Sequence, residues 1–87
     1  MGSSLMASAN SVMKEWIVSA LNHFEGRAHY LTVSRWIWEN HRQDLFEMGD
    51  MFYKWQYNIR WLAIELRKEG RLLPADESPS GTWILDR

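Results

Sequence analysis

Apolar residues recur three and four positions apart in three stretches of the chain, and each stretch predicts a helix with one buried face. The first helix is predicted to begin near Val12, with Asn10 or Ser11 as its cap, and to end at Gly26. Its predicted inner stripe consists of Val12, Met13, Trp16, Ile17, Ala20, Leu21 and Phe24.

Residues 1–10 are small, polar and aperiodic, which predicts a disordered tail ahead of one domain over residues 11–87. The segment 27–31 is too short for a helix and is predicted to be a brief extended strand. The second helix is predicted over 33–41 with Thr32 as its N-cap. Its inner residues are predicted to be Val33, Trp36 and Ile37.

Residues 43–50 break the apolar period, so they predict an irregular connection between the second and third helices. Trp38 lies roughly opposite the inner residues of the second helix. It is therefore either exposed or packed as a lid over this connection.

The third helix is predicted over 51–69, with Asp50 as its N-cap and Gly70 as the left-handed residue after its end. Its inner stripe is predicted to be Phe52, Trp55, Ile59, Leu62, Ala63 and Leu66. At about 100° per residue, the opposite face carries aromatic residues and cations but no carboxylate. That face consists of Tyr53, Lys54, Tyr57, Arg60, Trp61, Ile64, Arg67 and Lys68.

Two short strands, 71–73 and 82–85, are predicted after the third helix, joined by the loop 74–81. The chain is therefore expected to be an α+β protein, mainly α. The order of elements predicts a winged helix-turn-helix, with three helices, a short strand after the first helix and a C-terminal β-hairpin wing.

The segment 59–85, IRWLAIELRKEGRLLPADESPSGTWIL, resembles the end of the winged-helix domain at the N-terminus of Mrr-type restriction endonucleases. In those domains a tryptophan-containing helix leads through a turn, a short strand and a wing into a Gly-x-Trp-x-Leu strand, which is 81–85 here. The HYLTVSRWI segment, 29–37, is similar to HARE-type helix-turn-helix domains. This resemblance, over about 12–86, implies DNA association in transcription regulation, restriction–modification or a phage-related protein. It implies no cleavage, because it does not extend to a nuclease domain.

Large aromatic residues supply a core without a cofactor, since the chain of 87 residues holds six Trp, three Tyr and three Phe. The absence of cysteine excludes disulfides, Cys-ligated zinc, iron–sulfur clusters and a thiol nucleophile. No apolar run is long enough to span a bilayer, and the N-terminus lacks the order of a signal peptide. We therefore expect a soluble, cytoplasmic protein without a membrane partner.

Catalysis is not expected, because no nucleophile with a base, no paired carboxylates and no glycine-rich phosphate loop have the required spacing. His23, His29 and His41 show no pair separated by four residues, so no metal site is expected either. These absences favour a binding domain that uses no cofactor over an enzyme.

Double-stranded DNA is the expected partner, with the third helix in the major groove. Gln56 and Arg60 can bond base edges, and lysines can hold phosphates. Because the formal net charge is −1, DNA binding requires that the cations cluster on the contact face. The predicted DNA-contacting residues are Lys54, Gln56, Tyr57, Arg60, Trp61 and Lys68 of the third helix, with Arg27 and Arg35 as backbone contacts.

A protein partner or a homodimer is the alternative, because adjoining exposed apolar residues usually mark an interaction surface. Tyr57, Trp61 and Ile64 would form that interface, and their burial there would block DNA. The wing is more consistent with a solubilising turn than with a DNA contact, because Asp76 and Glu77 would repel phosphates.

Overall fold

The computed structural model describes the backbone of residues 2–86 and the side chains of residues 9–86. Within that part of the chain, three α-helices surround a small antiparallel sheet of two strands. The expected class, α+β and mainly α, is confirmed. The elements in chain order are α1 (Gly2–His23), β1 (Arg27–His29), α2 (Tyr30–Phe46), a 3-10 helix (Gly49–Tyr53), α3 (Trp55–Lys68), a 3-10 turn (Ala75–Glu77) and β2 (Thr82–Ile84).

The sheet pairs the strand after α1 with the last strand of the chain. The register places Arg27 opposite Ile84, Ala28 opposite Trp83 and His29 opposite Thr82. The predicted hairpin between 71–73 and 82–85 is reduced to a single bridge between Leu72 and Leu85. The Leu73 amide still donates to the Ile84 carbonyl at 2.9 Å. Pro74 follows immediately and has no N–H to extend the ladder, which explains why this strand stops.

The core is formed by most residues of the predicted inner stripes, together with Leu45 from α2 and with Leu72 and Trp83 from the C-terminal segment. Trp36 and Phe52, which were predicted to be inner residues, are only partly buried and pack against this core. α1 packs against both α2 and α3. Two predicted members of the first stripe lie at its margin, since Val12 is 42% exposed and Phe24 is half-buried. No helix formed by residues 2–86 combines the length and apolar character needed to cross a bilayer. The buried apolar residues are Met13, Trp16, Ile17, Ala20, Leu21, Val33, Ile37, Leu45, Trp55, Ile59, Leu62, Ala63, Leu66, Leu72 and Trp83.

α1 begins earlier than predicted, because its helical backbone extends back to Gly2. The expected cap at Asn10 or Ser11 is therefore wrong. Asn10 lies inside the helix, and its side-chain oxygen accepts a hydrogen bond from the Asn58 amide nitrogen at 3.0 Å, which ties α1 to α3. The division of the chain into a disordered tail, 1–10, and a domain, 11–87, stays a prediction.

α2 begins three residues before its predicted start and ends five residues after its predicted end. Thr32 is not the N-cap; His29 takes that position in an extended conformation, and its Nδ1 accepts from the Leu31 amide at 3.1 Å. The helix passes through a kink at His41, where φ is −132° and ψ is 20°. The continuation beyond the kink brings Leu45 into the core with no remaining exposure.

A 3-10 helix, Gly49–Tyr53, precedes α3, so Asp50 lies within it and does not cap α3 as predicted. This tighter turn places Phe52 in an aromatic cluster, with its ring centroid 4.7 Å from that of Phe46. Trp38 completes the cluster, nearly parallel to Trp55 at 6.4 Å. Of its two predicted positions, Trp38 therefore takes the packed one, over the connection between α2 and α3.

Gly70 adopts the left-handed conformation predicted for it, with φ of 79°. The Arg71 amide donates to the Leu66 carbonyl at 2.9 Å, which closes the last turn of α3 as a left-handed C-terminal cap does. α3 therefore ends where its sequence predicts, within one residue, at Lys68.

Two isoleucines of α3 offer a matched test of its orientation, because Ile59 is fully buried and Ile64 is 41% exposed. We expect Ile59→Ala to lower the free energy of unfolding by about 2–5 kcal/mol, since the substitution leaves a cavity. Ile64→Ala should cost only about 0.5–1 kcal/mol. Urea unfolding of the two variants measures the difference, and equal losses would show that α3 is rotated differently about its axis.

Candidate nucleic-acid interface

The face of α3 turned away from the core carries three large apolar side chains that remain exposed. Tyr57 is 65% exposed, Trp61 52% and Ile64 41%. The rings of Tyr57 and Trp61 meet edge to face, with centroids 6.1 Å apart and an angle of 69° between the planes. This apolar strip follows from the sequence, because residues three and four apart on a helix lie on one side.

The start of α2 lies beside the middle of this face. Tyr30, Leu31 and Ser34 from α2 form a concavity of about 300 Å³ with Gln56, Tyr57 and Arg60 from α3. The Arg60 guanidinium carbon lies over the Tyr30 ring, 4.9 Å from its centroid, in a cation–π arrangement. The concavity therefore combines two phenol rings with hydrogen-bonding side chains from both helices.

Arg67 lies on the same helix as Arg60 but has a different role. Its Nε donates to the Leu73 carbonyl at 3.1 Å, and Nη2 donates to the Thr82 carbonyl at 3.3 Å. These bonds join α3 to both C-terminal chain segments. Arg67 was predicted to lie on the outer face of α3, but its guanidinium stabilises the fold through these two bonds.

The carboxylates of α3 point toward α1. Lys14 Nζ lies 3.1 Å from Glu65 Oε1 and 2.7 Å from Glu69 Oε2. The hydrogen bond that Lys14 donates to Glu69 is the main cause that raises the pKa of Lys14 above its usual value, with partial burial opposing it. Arg71 forms a second ion pair, with Glu15 of α1: its Nη1 donates to Glu15 Oε2 at 3.0 Å, and this hydrogen bond is the main cause that raises the pKa of Arg71.

Lys54, Arg60 and Lys68 are exposed, and none of them forms an ion pair with another described residue. Lys54 precedes α3 and Lys68 ends it, so the two are separated by roughly 21 Å along the helix at about 1.5 Å per residue. The cations are therefore spread along the face, with Arg60 near its centre. The acidic residues that flank this face in the sequence, Glu65 and Glu69, pair with Lys14 of α1 instead of with these cations.

The remaining predicted DNA contacts are distributed over other elements. Arg27 lies on β1 and Arg35 on α2, and both are exposed. Neither lines the concavity between α2 and α3. The acidic residues of the wing, Asp76 and Glu77, lie exposed in the 3-10 turn.

Besides Leu31, two members of the concavity, Tyr30 and Ser34, are absent from the predicted contact residues. The sequence predicts Tyr30 to lie in the extended segment 27–31 and Ser34 to lie inside a helix that starts later, at residue 33. Their spacing of four residues would have joined them on one helical face had the helix been taken to start at Tyr30. That start depends on the His29 cap, for which the local sequence gives a weak signal.

Among the described residues, no three His, Asp or Glu side chains are grouped closely enough to hold a metal ion.

Comparison with known protein families, with curated proteins and with solved structures gives no significant match to this chain. The resemblance to Mrr-type and HARE-type domains stays a prediction that rests on the residues quoted above.

Substitution of Arg67, compared with substitution of its neighbour Lys68, tests the structural role of Arg67. Arg67→Met retains most of the apolar stem but removes the two bonds to the carbonyls of Leu73 and Thr82, so we expect a loss of about 1–3 kcal/mol in the free energy of unfolding. Lys68→Met is the control, because Lys68 is exposed and should be nearly neutral. Thermal unfolding compares the two, and a neutral Arg67→Met would contradict the role assigned to this side chain.

Proposed function

We propose that this chain is a non-catalytic, DNA-binding winged-helix domain that places α3 in the major groove of double-stranded DNA. One observation carries the proposal: the outer face of α3 presents Lys54, Arg60 and Lys68, while Glu65 and Glu69 pair with Lys14 on the side of α1. A surface of this charge attracts a polyanion even when the net charge of the whole chain is −1.

The arrangement of strands supports a winged helix. β2 lies between β1 on one edge and the Leu72 bridge on the other, so the last strand of the chain is flanked by both earlier extended segments. The loop 74–81 would then be the wing. The resemblance to Mrr-type and HARE-type domains favours the same fold and points to transcription regulation, restriction–modification or a phage-related system.

Within this proposal the residues have different roles. Gln56 and Arg60 lie where α3 meets the start of α2, and their amide and guanidinium groups suit base edges. Lys54 and Lys68 hold phosphates at the two ends of the helix. The other positions assigned to DNA are Tyr57 and Trp61 on α3, with Arg27 and Arg35 as additional backbone contacts.

Salt dependence of binding to random duplex DNA tests the electrostatic basis of the proposal. Each phosphate contact contributes a slope of about −0.9 in a plot of log affinity against log salt concentration, so the four cations assigned to the DNA backbone, Lys54, Lys68, Arg27 and Arg35, should give a slope of about −3.6. Lys54→Ala should weaken binding to all sequences alike and reduce the slope by about 0.9.

The control for this titration is Arg71→Ala, because Arg71 is already paired with Glu15 and should leave the slope unchanged. Fluorescence anisotropy with labelled duplex measures both variants. Absence of binding at low salt, or a slope that responds equally to both substitutions, would contradict the proposal.

A protein interface or homodimer is the second candidate function, favoured by the contiguous exposure of Tyr57, Trp61 and Ile64. A symmetric dimer through this face would bring two copies of the same cations together. The face offers no carboxylate to pair with them, so self-association carries a cost from like-charge repulsion. That cost is the reason for ranking DNA first.

Sedimentation separates the two candidates. We expect the wild-type chain to sediment as a monomer, and Trp61→Glu to leave that state unchanged while it weakens DNA binding. Val12→Glu is the matched control, because Val12 is an exposed apolar residue on a different helix. A wild-type dimer that dissociates on Trp61→Glu but not on Val12→Glu would favour the interface instead.

A further inference from the structure

The exposed rings of α3 suit the flat faces of nucleobases better than the floor of an intact major groove. In paired DNA the faces of the bases are stacked on each other, and apolar contact in the major groove is largely limited to thymine methyl groups. Tyr57 and Trp61 would therefore remain poorly matched against a fully paired site. Aromatic side chains beside cations are the usual means of binding unstacked bases.

The concavity between α2 and α3 provides a place for one such base. Tyr57 supplies an exposed ring, and Tyr30 supplies a second ring that is already covered by the Arg60 guanidinium. The Gln56 amide brings a hydrogen-bond donor and acceptor to the same space, and the Ser34 hydroxyl, which donates to the Tyr30 carbonyl at 2.9 Å, can still accept a hydrogen bond there. A flat aromatic ligand with a polar edge matches this combination.

Charge decides which occupant of this surface is favoured. The cations nearest the rings, Arg60 and Lys54, form no ion pair with other described residues, and the nearby acidic side chains of α3 are held by Lys14. A second copy of the chain would add like charge, whereas DNA brings a phosphate on either side of every base.

We infer that the DNA bound by this domain contains an unpaired base, which stacks on Tyr57 and enters the concavity between α2 and α3. The inference rests on one part of the proposed function, DNA binding through α3, and narrows the substrate to DNA with a bulge, a junction or a single-stranded segment. Lys54 would hold a flanking phosphate and Arg60, over the Tyr30 ring, would bond the edge of the base, while Trp61 supports the Tyr57 ring edge to face.

The test compares three labelled DNAs of one sequence by fluorescence anisotropy: a matched duplex, the same duplex with one extra unpaired base, and the single strand. We expect the two DNAs with unpaired bases to bind about 10-fold more tightly than the matched duplex, as a stacked base contributes. Tyr57→Ala should abolish this preference, and Tyr57→Phe should keep it because the ring remains.

Tyr53→Ala is the control for a general loss of aromatic surface, since Tyr53 is 84% exposed and lies before α3 and outside the concavity. It should leave the preference intact. Thermal unfolding checks that each variant folds, which the exposure of both tyrosines favours.

The outcomes separate this inference from the proposed function. Equal binding of all three DNAs, or equal weakening of all three by Tyr57→Ala, overturns the inference and leaves duplex binding in place. Binding only to the DNAs with unpaired bases supports the inference and overturns docking of α3 in an intact major groove. No binding to any of the three at low salt overturns both.

Discussion

Burial of one face of α3 against α1 is the constraint on which the rest of the structure depends. Ile59, Leu62 and Leu66 retain almost no exposure, so the rotation of α3 about its axis is fixed by packing. Because successive residues are about 100° apart, a shift of one position would expose these side chains and bury Arg60. The residues offered to a partner are therefore selected by the core.

The same rotation separates the charges of the helix. Glu65 and Glu69 fall on the side that Lys14 reaches, while Lys54, Arg60 and Lys68 form no ion pair with any acidic side chain of residues 9–86. A net charge of −1 for the whole chain conceals this local asymmetry. Binding of a polyanion by this domain would depend on where charges lie on the surface, and much less on their total.

The helical stripes and the exposed face of α3 could be predicted from sequence because they follow from local periodicity. The start of α2 could not, since its cap His29 is the last residue of β1, whose partner strand is at the other end of the chain. The concavity with Tyr30 and the bonds of Arg67 to the C-terminal segments were missed for the same reason. Contacts between residues distant in sequence leave no local pattern.

The most direct measurement is a titration of the isotope-labelled chain with DNA at low salt, followed by the backbone amide signals in nuclear magnetic resonance spectra. We expect the changed signals to lie in the outer face of α3 and at the start of α2, around Tyr57, Arg60 and Tyr30. Changes confined to α1, or no changes at saturating DNA, would contradict the assignment of α3 as the surface that contacts DNA.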